Sequence, residues 1–242
     1  MIRFILVVIF IILFFTIGQV TLLIAFLISI FDKEKADNFY IRVVKFVFDT
    51  IVLISGVEVE TINKINIDKN PCVIIANHRS FFDVMLLYHY INFPCSFIAK
   101  VELSKVPFLG YWMKKIKCLF LERDDLRQQF SVMIKAIDNI KLGFSYVIFP
   151  EGTRNKNELD TDLLDFKDGS FILTKKTNCP IYPIALSNTV SIFEKQFPKI
   201  RKTKVKIIFS EPVRFDELTD EQKNNIGHYF KDKVKKMLEE NK

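Results

Sequence analysis

The stretch VIIANHRSFFDVMLL, residues 73–87, decides how the rest of the chain is read. It opens on a short continuous apolar run, Val73 to Ala76, rich in β-branched residues, as in a buried strand. It closes on Val84, Met85, Leu86 and Leu87, a helix-like run. Between the two, residues 77–83 form the turn where a strand hands over to a helix. Backbone at the C-terminal end of a sheet strand is exposed and rigidly held, and chemistry favours it. Histidine accepts a proton near neutral pH. An aspartate five positions on can hold the imidazole in one tautomer and stabilise the imidazolium that forms. His78 and Asp83 are therefore a candidate general base and its orienting carboxylate. A plainer reading stands beside this one. Ser80 and Asp83 match the Ser/Thr-x-x-Asp/Glu pattern of a helix start, which would make Asp83 a cap and His78 a turn residue. Spacing alone leaves both open.

Working outward, apolar runs at 57–62, 72–76, 95–99, 118–122, 145–149, 181–187 and 204–209 read as strands. Helix patterns fall at 80–91, 108–116, 125–141, 168–177 and 217–239. Asp124 or Asp125 can open the third, and Gly143 lies just beyond its end. The alternation predicts an α/β fold, a largely parallel sheet with helices on both faces, over residues 57–242. There is no internal repeat, low-complexity tract or Gly/Ser linker.

Residues 1–56 differ. From Phe4 to Phe31 there is no charged residue and one amide, Gln19. As a helix, that run would be about 42 Å long, against about 20 residues needed to cross a hydrocarbon core. It is long enough to span with tilt, or to enter and bend near Gly18. It is longer than the apolar region of a cleaved signal and lacks a small-residue cleavage site. From Asp37 to Ser55, Arg42, Lys45 and Asp49 share one helical face, and apolar residues cover the rest. The expectation is an N-terminal pair of membrane-anchoring helices joined around Asp32–Lys35, with the charged stripe in water. Lys33, Lys35, Arg42 and Lys45 outweigh Arg3 and the terminal amine, which favours a cytoplasmic catalytic side, on the inner or plasma membrane.

The chain has 242 residues, 25 of them Phe, and a formal charge of +7. Residues 1–60 carry five basic and six acidic groups, so the positive excess lies in the α/β portion. A basic domain beside a greasy N-terminus suggests an anionic membrane surface or anionic substrate. Nucleic acid ranks lower, since the basic residues are scattered and no nucleic-acid motif is present. The four cysteines form no C-x-x-C pair, and Cys72, Cys118 and Cys179 sit in or beside apolar runs, as reduced cysteines do. With His78, His89 and His228 also scattered, no metal site is expected.

Three further stretches fall at strand ends. One holds Lys100, Glu102, Leu103, Pro107 and Gly110. Another is Phe120 to Arg123. The third is FPEGTRN, residues 149–155. There Gly152 lets backbone approach a ligand closely. Arg154 offers a planar fork suited to phosphate, and Lys156 a point charge. Taken singly, Arg154, Lys100 and Arg123 would be solvated charges, and Glu151 an acceptor for N–H groups of its own turn.

With NHRSFFD at 77–83, K-x-E-L-x-x-x-P-x-x-G at 100–110, FLER at 120–123, FPEGTRN at 149–155 and CPIYPIALSN at 179–188, the chain resembles the lysophosphatidic acid acyltransferases, the 1-acyl-glycerol-3-phosphate acyltransferase family. The resemblance covers residues 72–190, FKDGS at 166–170 included. Glu122 stands where Asp is commoner, and Ser170 where Ala is. The resemblance implies transfer of a fatty acyl group from acyl-CoA or acyl-carrier protein to the free hydroxyl of 1-acyl-glycerol 3-phosphate, giving phosphatidic acid. It implies His78 as base and Asp83 as its orienting partner. Lys100, Arg123, Glu151, Gly152, Thr153 and Arg154 would bind substrate: Lys100, Arg123 and Arg154 on the phosphate, Gly152 and nearby N–H groups on phosphate or oxyanion, Glu151 in positioning. No cofactor beyond the thioester co-substrate is implied. Other acceptors remain, namely glycerol 3-phosphate, a lysophospholipid or an ornithine-type lipid. A catalytically dead membrane scaffold is opposed by His78, Asp83, Glu151 and Arg154 all being present. An esterase is opposed by the lack of a G-x-S-x-G elbow.

Overall fold

The computed structural model describes residues 1–67, 71–91, 93, 95–122 and 124–241. Its centre is a seven-stranded sheet in the order β1-β7-β6-β2-β5-β3-β4. The strands are β1 Glu58–Ile62, β2 Val73–Ala76, β3 Cys95–Lys100, β4 Leu119–Leu121, β5 Ser145–Ile148, β6 Ile181–Ser187 and β7 Lys204–Phe209. Every neighbouring pair is parallel except β6 with β7. All seven expected strands are present, and the sheet is largely parallel as the alternation implied.

Strand β2 shows why the apolar run reads as it does. It lies mid-sheet, paired with β5 through Ile74–Val147 and with β6 through Ile74–Tyr182. Its side chains alternate between two cores. Ile74 and Ala76 pack on the side of α1 (Ile2–Phe31), α2 (Lys33–Ser55), α3 (Phe82–Tyr90) and α4 (Leu109–Lys115). Val73 and Ile75 pack on the side of α5 (Leu126–Lys141), α6 (Ile172–Thr177) and α8 (Ile226–Glu240). A strand covered on both faces needs apolar residues at every position.

Three expectations change. The segment expected as one helix at 217–239 is two, α7 (Asp220–Asn224) and α8, broken at Asn225. Thr219 opens α7 by accepting from the Gln222 N–H in a capping box, a local signal the apolar pattern does not show. The segment at 168–177 starts as a 3-10 turn, Asp168–Phe171, before α6. The joint between α1 and α2 is Asp32 alone, whose carboxylate accepts from the Lys35 N–H at 3.0 Å.

Helix α1 runs unbroken through Gly18, and it is long and apolar enough to cross a membrane. It packs along α2, and its aromatics touch the domain: Phe14 on Trp112 at 5.1 Å, Phe15 on Phe108 at 5.9 Å, Phe4 on Phe193 at 5.8 Å. Its outer face leaves Ile9, Leu13, Ile17 and Leu27 exposed. The charged stripe of α2 is not wholly in water. Arg42 is exposed, but Lys45 Nζ donates to the carbonyls of Tyr88 at 3.2 Å and His89 at 2.8 Å, and Asp49 meets His89 Nδ1 at 2.7 Å. The last carbonyls of α3 have no partners within their own helix, and a cation there satisfies both hydrogen bonding and the helix dipole.

Candidate active site

In open α/β sheets, ligands sit beyond the carboxyl ends of the strands where the strand order reverses. Here the chain leaves β2 for β3 on one side and later returns to place β6 on the other, so the end of β2 is that point. The residues after β2, after β5 and after β6 converge there.

Each residue of the turn after β2 has a visible task. Asn77 is buried and closes two hydrogen bonds with the backbone of Leu186 on β6, both 2.8 Å. His78 places Nδ1 2.9 Å from Asp83 Oδ2, and its ring stacks on Phe149 with centroids 4.1 Å apart. Arg79 is buried, with its guanidinium on Asp160 Oδ1 and the Asn157 carbonyl. Asp160 Oδ2 in turn accepts from Ser187 Oγ at 2.8 Å and the Asn188 N–H at 2.7 Å. Arg79 thereby fastens the turn to the 155–162 loop and to the end of β6. Ser80 Oγ accepts from the Phe82 N–H at 3.0 Å, capping α3.

Asp83 makes the contacts that both readings ask for. The same Oδ2 that meets His78 also accepts from the N–H groups of Arg79 at 2.6 Å and Ser80 at 2.7 Å. It is fully buried. A carboxylate so held fixes the loop, and the loop fixes the imidazole. Nδ1 is therefore directed at Asp83, and Nε2 is left for substrate, as in a histidine–aspartate base.

Glu151 is likewise buried, but not as an acceptor for its own turn. Oε1 accepts from the His78 N–H at 2.7 Å and Oε2 from the Leu164 N–H at 3.0 Å, so it ties the β5 loop to the histidine backbone. Burial raises its pKa above the usual carboxylate range, against the opposing pull of those two N–H groups. The Asn155 N–H closes the same junction on the His78 carbonyl at 2.7 Å. Gly152 adopts φ 67°, a left-handed conformation that favours glycine, but its N–H donates to the Phe149 carbonyl at 2.9 Å. The turn itself uses that donor. Thr153 is exposed on the same loop.

Arg154 places Cζ over the Phe81 ring, 3.7 Å from its centroid, with Nη1 3.5 Å from Glu194 Oε1. Lys100 is exposed at the end of β3, two strands from β2, and is not brought against His78. Arg123 lies outside the described residues. Asp160 and Glu194 went unmarked in the sequence. Their partners lie from 27 to 114 positions away, and no local periodicity signals such pairings. Among the described residues no cluster of three His, Cys, Asp or Glu side chains could hold a metal ion. All four cysteines are buried and none forms a disulfide, and burial pushes the Cys118 thiol up to about 11.

The pattern of the Acyltransferase family matches residues 56–187, more than half of the chain. The chain belongs to the acyltransferase family. Among proteins this acyltransferase is similar to is the 1-acyl-sn-glycerol-3-phosphate acyltransferase of Saccharomyces cerevisiae, 29% identical over 79% of this chain and 62% of the yeast protein. The chloroplastic enzyme BAT2 of Brassica napus is 34% identical over 65% of this chain and 46% of its own length. The Helicobacter pylori protein of the same name is 29% identical over 73% of this chain and 76% of its own. The chain thus spans about half to two thirds of the yeast and plant relatives. The crystal structure of the 1-acyl-sn-glycerophosphate (LPA) acyltransferase PlsC of Thermotoga maritima shares the fold, with a TM-score of 0.77 over 100% of this chain and 98% of that one, at 24% identity.

Proposed function

We propose that this acyltransferase moves a fatty acyl group from an acyl thioester to the free hydroxyl of 1-acyl-glycerol 3-phosphate, forming phosphatidic acid. The observation that carries the reading is the His78 Nδ1–Asp83 Oδ2 pair at 2.9 Å, set in a turn locked by Glu151. Nε2 of His78 takes the acceptor hydroxyl's proton as its oxygen attacks the thioester carbonyl, and Asp83 stabilises the imidazolium. The tetrahedral intermediate collapses, the carbon–sulfur bond breaks, and the imidazolium returns its proton to the leaving thiolate. The balance needs no metal or redox group; acyl-CoA or acyl-carrier protein is a co-substrate. Arg154, on the neighbouring loop, takes the acceptor's phosphate through a charge-assisted fork. Lys100 and Thr153, exposed at neighbouring strand ends, and Arg123 belong to the wider substrate surface.

Transfer is direct, through a ternary complex. A covalent route needs an activated hydroxyl or thiol within reach of the base. Ser80 Oγ is engaged with Phe82 N–H and Glu194, and Cys72 lies at the far end of β2, about 13 Å of strand away. Helices α1 and α2 seat the enzyme on the membrane, with the domain's positive charge toward anionic lipid on the cytoplasmic face. A site at the interface avoids extracting an acyl chain at about 0.8 kcal/mol per CH₂.

Purified enzyme in detergent, given acyl-CoA and acyl-carrier-protein donors against a panel of 1-acyl-glycerol 3-phosphate, glycerol 3-phosphate, a lysophospholipid and an ornithine-type lipid, should convert the first acceptor best by mass spectrometry. Preference for another acceptor reassigns the substrate. No transfer to any of them supports the scaffold. Stoichiometric label on the denatured polypeptide after incubation with labelled donor alone would overturn direct transfer.

A further inference from the structure

Among the described residues, the carboxylate paired with Arg154 comes from a part of the chain that none of the motifs covers. Glu194 opens a 3-10 turn, Glu194–Gln196, in the connection between β6 and β7. Its two oxygens are held firmly on the active-site turn. Oε2 accepts from Ser80 Oγ at 2.7 Å, and Oε1 from the Phe81 N–H at 2.8 Å. Phe193 beside it is pinned by Phe4 of α1, stacked at 5.8 Å, and by Phe197 at 5.4 Å. The contact to Arg154 is of another kind. At 3.5 Å it is an ion pair rather than a short hydrogen bond, and both side chains are partly exposed. A fixed anion thus faces a loosely paired guanidinium that lies over Phe81.

We infer that Glu194 is the resident counter-ion of Arg154, which Arg154 exchanges for the phosphate of the acceptor, and that Glu194 thereby limits how tightly phosphate-bearing acceptor and product bind. The inference rests on the reading of Arg154 as the phosphate's partner. A phosphate offers the guanidinium a bidentate, charge-assisted pair that Glu194 does not make, so exchange is favourable. The phosphate must also sit near a carboxylate that cannot leave, because Ser80 and the start of α3 hold it. Like-charge proximity weakens its binding. Substrate and product carry the same phosphate, so the opposition acts on both and speeds release of phosphatidic acid. Affinity expressed equally in ground and transition states would not raise turnover.

Glu194→Gln keeps an acceptor for the Phe81 N–H and a polar partner for Ser80, and removes the charge. It should lower the KM for 1-acyl-glycerol 3-phosphate by about three- to fivefold, the worth of a partly exposed ion pair. It should strengthen inhibition by inorganic phosphate and by phosphatidic acid to a similar degree, and leave the donor KM unchanged. Ser80→Ala loosens the same turn without touching the charge, and should not lower the acceptor KM. In an Arg154→Ala background the effect of Glu194→Gln should shrink to the like-charge part alone. If Glu194→Gln does not accumulate folded, Glu194→Ala is measured the same way and the same falls are expected. An acceptor KM that is unchanged or raised in the folded variant, or a fall that is undiminished without Arg154, overturns the inference. If Arg154→Lys itself leaves acceptor use intact, the phosphate assignment has failed. If Arg154→Lys impairs acceptor use while removal of the Glu194 charge does not improve it, the counter-ion inference alone has failed.

Discussion

At the scale of single residues, the site is a turn whose polar side chains tie it to its neighbours, with one carboxylate holding the imidazole. Three hydrogen bonds converge on one oxygen of Asp83, from His78, Arg79 and Ser80. That convergence separates two roles that usually confound mutagenesis. The amide oxygen of Asp83→Asn can occupy the same position and accept all three bonds, but carries no charge to stabilise an imidazolium. Asp83→Asn should therefore lose most of its turnover while melting close to wild type, and Asp83→Ala should lose turnover and melting temperature together. His78→Ala should reduce turnover by about 10²–10⁴-fold, the range of general-base catalysis. Paired melting curves and initial rates check this; an Asp83→Asn protein that retains activity would reduce Asp83 to a cap. Arg154→Lys keeps the charge and loses the fork, and losing a contact of about 1.5–3 kcal/mol should weaken acceptor use roughly ten- to a hundredfold. Donor KM should change much less, and an equal loss on both substrates would deny the assignment.

At the scale of elements, the loops that build the site are locked to helices remote from it. FKDGS is an example. The Lys167 N–H donates to the Pro150 carbonyl at 3.1 Å, within the FPEGTRN stretch, and Asp168 Oδ1 accepts from the Gly227 N–H at 2.8 Å at the start of α8. A Cβ on Gly227 would stand 2.1 Å from the Phe166 carbonyl oxygen, a backbone atom with nowhere to go. Gly227→Ala should then destabilise by about 1–3 kcal/mol, the usual cost of overpacking. Urea denaturation measures it, and an unchanged midpoint would mean α8 shifts freely. The same elements show what a sequence can and cannot reveal. Strand β2 was legible because burial on both faces forces an unbroken apolar run, and His78 and Asp83 because their pairing is local. The break at Asn225 was not, since α7 is all polar and has no apolar pattern of its own to set it apart from α8. Nor was the Asp160 and Glu194 network, because contacts between distant loops leave no periodic trace. The stripe of Lys45 and Asp49 was misread as wet. Its true partners are the end of α3, and a charge on a helix face looks the same facing water or facing carbonyls.

At the scale of the whole molecule, the N-terminal helices are not a detachable anchor. Tyr40, Val44, Val47, Ile51 and Val52 of α2 are buried against the domain, so deleting residues up to Gly56 would uncover core. Loss of activity in such a truncation would report misfolding as readily as detachment. Helix α1 offers a cleaner test. Phe4, Phe14 and Phe15 hold it to the 193–197 segment and to α4, whereas Ile9, Leu13 and Ile17 line its free face at a spacing of four. Burying each of these side chains in lipid is worth about 1.5–3 kcal/mol, so three together dominate a reversible attachment. Replacing all three with Glu leaves the inner contacts alone and makes the free face prefer water. Wild-type protein should stay in the membrane pellet after alkaline carbonate extraction, and the triple variant should move to the supernatant. The variant should keep its melting temperature in detergent and its turnover on detergent-dispersed acceptor, while losing turnover on acceptor embedded in vesicles. If it stays in the pellet, the outer face of α1 is not what holds the enzyme to the bilayer. If it is released yet works equally well on vesicles, the placement of the site at the interface carries no advantage. The path Phe4–Phe193–Glu194–Ser80 favours that advantage, because it links the N-terminal end of α1 to the turn that carries His78.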